Sequence, residues 1–198
     1  MVLRGGITLV LGGARSGKSE VGEAMAGKTE GVMPVTYVAT GPIPRDVGPG
    51  LLVEPDLEDR QWAQRVEQHR RRRPPEWNTV EVGPGGDLEG ILTEVAGLVL
   101  VDSLGTWVAG TRAMAIDPTG LCRALTIRSQ RGEETILVSE EVGWGVHPAT
   151  DVGRQFRDVL GMLNRAVGDI ADRVLLVVAG RVLDLGAPVA QGFAPGRD

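Results

Sequence analysis

The sequence predicts a single α/β domain of the P-loop NTPase type, with a mostly parallel β-sheet and helices on both faces of the sheet. Short, apolar, β-rich runs alternate with segments of helical periodicity along the chain. Several of these runs are continuously apolar, as is typical of parallel strands that are buried on both faces. A glycine-rich phosphate-binding sequence joins the first run to the first helical segment. These three observations together predict the fold class.

The first strand is predicted at residues 7–11, and the first helix at about residues 17–26. Between them, residues 12–19 fit the P-loop pattern G-x-x-x-x-G-K-[ST], in which backbone N–H groups surround phosphate oxygens at a helix N-terminus. Lys18 would contact the β- and γ-phosphates and is a catalytic candidate, and the Ser19 hydroxyl would ligate Mg²⁺. The residues that this motif assigns to nucleotide binding are Gly12, Gly13, Ala14, Arg15, Ser16, Gly17, Lys18 and Ser19.

The remaining elements alternate in the same way. Further strands are predicted at residues 35–39, 78–82, 98–101, 135–139 and 174–179, and further helices at about residues 57–72, 87–96, 118–130 and 151–169. Residues 41–56 form the one long irregular segment, and such a loop in a compact domain is usually functional or mobile. The domain is expected to span residues 1–185, followed by a disordered tail at residues 186–198.

The apolar strand predicted at residues 98–101 is followed directly by Asp102. P-loop proteins place such an acid beside the phosphate-binding loop, where it holds Mg²⁺ or a water that is bound to Mg²⁺. Asp102 is therefore predicted to associate with the metal together with Ser19. The alternative is an aspartate that ends the strand and caps the turn that follows it.

His69 lies at the edge of the apolar face of the helix predicted at residues 57–72, and the four arginines from Arg70 to Arg73 follow it. One interpretation is a solvated helix end whose cations complement the helix dipole. The other is a catalytic histidine. The arginines would then lower the pKa of the imidazole, keep it neutral and nucleophilic near pH 7, and neutralise a triphosphate. A nucleic-acid site is disfavoured, because interleaved aromatic residues and a basic background are missing.

The other histidine, His147, follows the strand predicted at residues 135–139, in a loop that holds Trp144 between two glycines. Such a loop is expected at the active edge of the sheet. Glu141 in the same loop has two interpretations, as a ligand or base in the site and as a cap of the next helix.

Composition limits the range of functions. The 198 residues are 42% apolar, which suits one domain with a sizeable core, and the net charge of −5 argues against a general nucleic-acid binder. Cys122 is the one cysteine, so an intrachain disulfide is excluded. No signal peptide is recognised, and no apolar run reaches the roughly 18 residues that span a bilayer. A cytoplasmic protein is the expectation.

These segments, in their order along the chain, resemble the adenosylcobinamide kinase/adenosylcobinamide-phosphate guanylyltransferase family of cobalamin biosynthesis. The resemblance covers about residues 6–185. Its matching pieces are the P-loop; Tyr37 to Thr40; Arg65, Val66 and His69, leading to Arg73, Pro74, Trp77, Thr79 and Glu81; Val101 to Leu104 with Trp107; Glu141, Val142, Gly143 and Gly145; Phe156, Arg157, Asp158, Gly161 and Asn164; Asp172 and Val174; and Val177 to Gly180. The chain departs from the family at Glu140, where an asparagine is usual.

The resemblance implies a bifunctional transferase with Mg²⁺ as cofactor and with GTP and ATP as substrates. It would phosphorylate the aminopropanol hydroxyl of adenosylcobinamide. It would then form a covalent GMP–histidine at His69, release pyrophosphate and pass the GMP to the cobinamide phosphate. Contacts with GTP would involve the P-loop, Thr40, Arg70, Arg71, Arg72, Arg73, Glu81 and the region of Asp102. The resemblance also implies a homotrimer. Two alternatives stay open: a P-loop kinase without the transferase step, and a nucleotide-gated binding module.

Overall fold

The computed structural model describes residues 5–29, 31–42, 57–83 and 85–186. Two predictions therefore concern residues outside the described part of the chain. The predicted loop at 41–56 is described only at its first two residues, and the predicted tail at 186–198 only at Gly186. None of the helices in the described ranges is long and apolar enough to cross a bilayer.

The described strands form one seven-stranded sheet in the order β3-β2-β4-β5-β1-β6-β7. The strands are β1 (Ile7–Gly12), β2 (Val35–Ala39), β3 (Asn78–Glu81), β4 (Leu98–Asp102), β5 (Thr135–Glu140), β6 (Arg173–Val178) and β7 (Arg181–Asp184). Neighbouring strands are parallel from β3 to β6, and β7 pairs antiparallel with β6. The predicted mostly parallel α/β sheet is confirmed.

Six α-helices connect these strands within the described residues. They are α1 (Lys18–Gly27), α2 (Leu57–Arg72), α3 (Leu88–Glu94), α4 (Leu104–Gly110), α5 (Pro118–Gln130) and α6 (Asp151–Ile170), with a 3₁₀ turn at Arg112–Met114. All six strands and five helices that the sequence predicts are present. Helix α4 and strand β7 were not predicted.

Helix α4 was not predicted from the sequence pattern, because it is short and its helix-start signal is weak. Its seven residues include glycine at the second and last positions, and its start depends on a capping box between Ser103 and Thr106. The usual box has Glu or Gln at the third helical position, whereas threonine serves here. Strand β7 follows a two-residue turn in which Ala179 and Gly180 both have positive φ. That turn usually carries Asn-Gly, so Ala-Gly gives no hairpin signal.

The two faces of the sheet each pack against helices. Adjacent residues of one strand belong to different cores: Leu9 packs with residues of the helices α3 to α6, whereas Val10 packs with Ala26 of α1. This alternation follows from the two-residue period of a strand. The strands are therefore covered on both faces, which accounts for their continuously apolar runs.

The register of the strands places several functional candidates at one edge. The last residue of β1, Gly12, lies opposite Glu140 of β5, and Asp102 of β4 lies opposite Ala39 of β2. Because these strands are parallel, their carboxyl ends share one edge of the sheet, where ligands of open α/β sheets bind. Strand β5 lies between the P-loop strand and the strand of Asp102.

Candidate active site

The P-loop has the backbone conformation that phosphate binding needs. Gly17 directly precedes α1 with φ 94°, a conformation that favours glycine, and Arg15 has φ 56°. A side chain at Gly12 would collide with the Ser16 hydroxyl. Ser16 Oγ is buried and has no hydrogen-bond partner within the described part of the chain. A buried donor of this kind, beside a helix N-terminus, suits an anionic ligand such as a phosphate.

Lys18 projects from the start of α1 toward the neighbouring strand ends. Its Nζ lies 3.4 Å from the Gly13 carbonyl oxygen and 3.4 Å from Oε1 of Glu140. The ammonium group is therefore at the mouth of the loop, where the β- and γ-phosphates of a nucleotide would lie.

Asp102 accepts hydrogen bonds at both of its carboxylate oxygens. Ser19 Oγ donates to Oδ1 at 3.2 Å, and the hydroxyl of Tyr37 donates to Oδ2 at 2.7 Å. Burial alone would raise the pKa of Asp102, but the hydrogen bonds from His69, Tyr37 and Ser19 outweigh it and hold the pKa below its ordinary value. The carboxyl group is consequently ionised at neutral pH.

Ser19 and Asp102 together fit a small divalent cation. Both present hard oxygen donors at the carboxyl edge of the sheet, and Ser19 directly follows the P-loop lysine. Mg²⁺ takes few protein oxygens and completes its shell with water and substrate phosphates, so one hydroxyl and one carboxylate are a suitable set. The alternative in which Asp102 caps the next turn is wrong, because Ser103 is the N-cap of α4.

His69 in the last turn of α2 lies against this carboxylate. Its Nδ1 is 3.3 Å from Oδ2 of Asp102, 3.6 Å from Oε1 of Glu23 and 3.4 Å from Nη2 of Arg72. The hydrogen bond to Asp102 and then that to Glu23 raise the pKa of His69 to about 9, against the lowering effects of burial and Arg72. The prediction that the arginines keep the imidazole neutral near pH 7 is wrong for this arrangement, because the two carboxylates have the larger effect.

Arg70 and Arg71, the first two of the four consecutive arginines, pair with glutamates rather than with His69. Arg70 donates to Oε1 of Glu81 at 2.6 Å, which joins the end of α2 to the end of β3. Arg71 pairs with Glu67 of its own helix at 2.8 Å and is largely exposed. Arg70 and Glu81 therefore stand together at the site, as a pair of opposite charge, whereas Arg71 points away from it.

Arg72 and Arg73, the last two of these arginines, line the cavity of the site. Arg72 donates to Glu20 at 2.7 Å and to Glu23 at 3.0 Å, so α2 is tied to α1 by ion pairs. The guanidinium of Arg73 lies 3.4 Å above the ring of Tyr37, as a cation–π contact. Its Nε is buried without a hydrogen-bond partner within the described residues, and it is thus a free donor beside the site.

Thr40 has a structural contact network rather than a free hydroxyl. Its Oγ1 lies 2.6 Å from the carbonyl oxygen of Ser103 and 2.6 Å from Oγ1 of Thr106, and it accepts from the Ser103 N–H at 2.9 Å. The side chain is buried. Thr40 therefore joins the end of β2 to the start of α4 behind the site.

One cavity of about 740 Å³ combines these groups. The predicted site residues that line it are Ala14, Arg15, Ser16, Gly17, Lys18, Ser19, His69, Arg70, Arg72, Arg73, Glu81 and Asp102. The other four predicted residues, Gly12, Gly13, Thr40 and Arg71, are not among its lining residues. The P-loop, a metal-competent acid and a histidine thus share one space that is large enough for a nucleotide.

Comparison with known proteins identifies the family of this chain. The model of the family described as cobinamide kinase / cobinamide phosphate guanyltransferase matches residues 8–185. The chain belongs to this family. It is 32% identical to the bifunctional adenosylcobalamin biosynthesis protein CobP of Pseudomonas aeruginosa, over 89% of this chain and 95% of the relative. It is 34% identical to the bifunctional adenosylcobalamin biosynthesis protein CobU of Escherichia coli, over 87% and 95% respectively.

A solved structure supports the fold alone. The flagellar accessory protein FlaH from Methanocaldococcus jannaschii superposes with a TM-score of 0.53 and 12% identity, over 94% of this chain and 80% of that chain. At this identity the likeness concerns the α/β architecture and says nothing about activity.

Three residues of this cobinamide kinase / cobinamide phosphate guanyltransferase chain contact the site although sequence reasoning did not place them there. Glu23 contacts His69, Tyr37 contacts Asp102, and Glu140 contacts Lys18. Glu140 follows directly after the strand predicted at residues 135–139, so the rule that placed Asp102 at the edge could have found it too. Glu23 and Tyr37 have no such signal, since a helix residue and a mid-strand tyrosine are ordinary packing positions.

The loop after β5 contributes less than predicted. Glu141 Oε1 accepts from the Gly143 N–H at 2.8 Å, and Thr150 rather than Glu141 caps α6. His147 Nδ1 lies 2.7 Å from the guanidinium of Arg157. Neither Glu141 nor His147 is among the residues that line the cavity. The interpretation of Glu141 as a helix cap is therefore wrong.

Proposed function

We propose that this chain is a bifunctional transferase that phosphorylates adenosylcobinamide and then transfers GMP from GTP to the resulting phosphate. The observation that carries the proposal is the meeting of three groups in one cavity. The P-loop binds phosphates, Asp102 is hydrogen-bonded to Ser19, and His69 lies 3.3 Å from the same carboxylate. Membership of the cobinamide kinase / cobinamide phosphate guanyltransferase family supports the choice of substrate.

In the kinase step the P-loop would hold the triphosphate of ATP or GTP. Lys18 would move from Glu140 to the β- and γ-phosphates, where its charge stabilises the leaving group. Ser19 and Asp102 would hold Mg²⁺, which supplies positive charge that screens the phosphates. The free donors at Ser16 and Arg73 are suitable further contacts for phosphate oxygens.

In the transferase step His69 would be the nucleophile. Asp102 accepts the proton of Nδ1, which leaves the lone pair on Nε2 for attack once the ring is neutral. Nε2 would form a bond to the α-phosphorus of GTP, the bond to the pyrophosphate oxygen would break, and pyrophosphate would leave. A phosphate oxygen of the cobinamide phosphate would then take GMP from Nε2.

The remaining assignments follow from the same proposal. Arg72 and Arg73 would exchange their present partners for GTP, while Arg70 would contact GTP and keep its ion pair with Glu81. Thr40 would position the β4–α4 junction, and Arg71 would contribute only through its charge. The resemblance also supports a homotrimer, which we propose together with a cytoplasmic location.

Labelling with GTP that carries a radioactive α-phosphate tests the proposal. After incubation with Mg²⁺, label should be bound covalently to His69 as a phosphoramidate, which is labile in acid and stable in base. His69→Ala should lose labelling and guanylyl transfer but keep the phosphorylation of cobinamide, because that step moves the γ-phosphoryl group directly to the hydroxyl. His147→Ala is the matched control and should still label.

The same assay separates the alternatives. Label on His147, or label that survives in His69→Ala, would contradict the assignment of the nucleophile. Kinase activity with no labelled histidine would favour a kinase without the transferase step. Nucleotide hydrolysis with neither activity on cobinamide or its phosphate would favour the nucleotide-gated binding module.

A further inference from the structure

Glu140 occupies a place at the site that the mechanism above does not use. It is the last residue of β5, the strand between the P-loop strand and the strand of Asp102. Its Oε1 lies 3.4 Å from Nζ of Lys18, and its side chain is a quarter exposed toward the cavity. The Ser103 hydroxyl is 3.0 Å and 3.1 Å from its two carboxylate oxygens and fixes the direction of the group.

The backbone around Glu140 is shaped to make room for this carboxylate. A side chain at Gly105, in the first turn of α4, would collide with Oε2 of Glu140. The carbonyl oxygen of Glu140 accepts from the amide of Asn164, which ties the end of β5 to α6. The carboxylate is thus directed by Ser103 on one side and accommodated by Gly105 on the other.

The other carboxylates of the cavity have different partners within the described residues. Glu20 pairs with Arg72, Glu81 pairs with Arg70, and Asp102 contacts His69. Glu140 instead pairs with the P-loop lysine. When the phosphates of a bound nucleotide pair with Lys18, Glu140 loses its contact with that cation and remains next to the γ-phosphate of the nucleotide. A free carboxylate at this place can accept a proton from a hydroxyl that attacks the γ-phosphate.

We propose that Glu140, which stands where the family usually has asparagine, is a proton acceptor that this chain uses in its kinase step. The inference rests on the proposed function, since the acceptor alcohol is the aminopropanol hydroxyl of the cobinamide. The hydroxyl oxygen forms a bond to the γ-phosphorus, and the bond from that phosphorus to the β,γ-bridging oxygen breaks. The nucleoside diphosphate leaves, and the hydroxyl proton goes to a carboxylate oxygen of Glu140. Attack by His69 at the α-phosphate needs no hydroxyl proton acceptor, so the transferase step does not use Glu140.

Glu140→Gln tests this role, because it keeps the shape and removes the basic oxygen. The kcat for phosphorylation of cobinamide should fall by about 10² or more, while the KM for the nucleotide changes by no more than about threefold. GMP transfer to separately prepared cobinamide phosphate should stay within about threefold of the unmodified protein. Glu134→Gln is the matched control, since it lies just before β5 at the opposite edge of the sheet and should change neither activity.

Gly105→Ala gives a second, independent test. The added methyl group should displace the Glu140 carboxylate without removing it, so the kinase should again lose more activity than the transferase. Circular dichroism and thermal unfolding of each variant establish that the protein is folded.

Three outcomes would overturn the inference. If Glu140→Gln binds nucleotide more tightly with an unchanged kinase kcat, Glu140 is a resting counter-ion of Lys18. If both activities fall equally in the folded variant, the residue is structural. If the unmodified protein transfers GMP but does not phosphorylate cobinamide, the kinase part of the proposed function fails and the role of Glu140 with it.

Discussion

Replacing Asp102 by asparagine should lower the pKa of His69 and change how much of its imidazole is nucleophilic. The hydrogen bond to Asp102 is the largest cause of the raised pKa of about 9, ahead of that to Glu23, and the ordinary value is 6.5. At pH 7 a group of pKa 9 is only about 1% neutral, whereas one of pKa 6.5 is about three-quarters neutral. Asp102→Asn leaves Glu23 in place, so we expect the pKa to fall by more than one unit and the neutral fraction at pH 7 to rise by about tenfold or more.

Imidazole NMR of the nucleotide-free protein measures this directly. The chain has two histidines, and His147→Ala assigns the two sets of resonances. The chemical shift of the His69 ring is followed from pH 5 to 10 in the unmodified protein and in Asp102→Asn. Asp169→Asn, which alters an exposed ion pair with Arg165 on α6, is the control and should leave the His69 titration unchanged. A His69 pKa below 7 in the unmodified protein, or equal values in both proteins, would refute the reasoning.

Two further predictions concern binding and stability. Lys18→Ala should lose triphosphate binding and both activities, because a methyl group cannot replace the charge at the β- and γ-phosphates; near-normal GTP affinity by calorimetry would remove the P-loop from the mechanism. Arg128 is fully buried and donates to four main-chain carbonyls and to the Thr135 hydroxyl, so Arg128→Met should reduce the free energy of unfolding in urea by about 3 kcal/mol or more. The control is Arg131→Met, which removes one exposed bond to a carbonyl, and equal losses in the two variants would contradict the role of Arg128.

Elements with a regular apolar pattern could be predicted from the sequence. Helix α6 spans Asp151–Ile170, close to the predicted 151–169, because its apolar residues recur at helical spacing over five turns. Strand β4 was expected at 98–101 and ends one residue later at Asp102. Strand β7 was not predicted, because all four of its residues are exposed and no burial selects an alternating pattern.

The candidate site was predictable where a strand end or a motif marks the residue. The P-loop and Asp102 have such marks, and parallel topology then brings them together. The pKa of His69 was not predictable, because it depends on Glu23 and Asp102, which lie 46 and 33 residues away and on other elements. The four arginines that follow His69 in sequence suggested a lowered pKa of the imidazole. Successive side chains of a helix point in different directions, however, and of these four arginines Arg72 alone contacts the imidazole ring.

The positions of the acids give a physical reason why one cavity would serve both proposed reactions. Asp102 accepts from Ser19 on one side and contacts His69 on the other, so the same carboxylate touches both the serine that we propose as a metal ligand and the histidine that we propose as the nucleophile. Glu140 and Lys18 lie on the next strand and at the P-loop, where the proposed mechanism places the γ-phosphate. Substitutions on the two sides of Asp102 should therefore separate the activities, with His69 needed for transfer and Glu140 for phosphorylation. A substitution of Asp102 itself should impair both, because each step would lose the carboxylate that holds Mg²⁺ with Ser19, even though more of the His69 imidazole would be neutral.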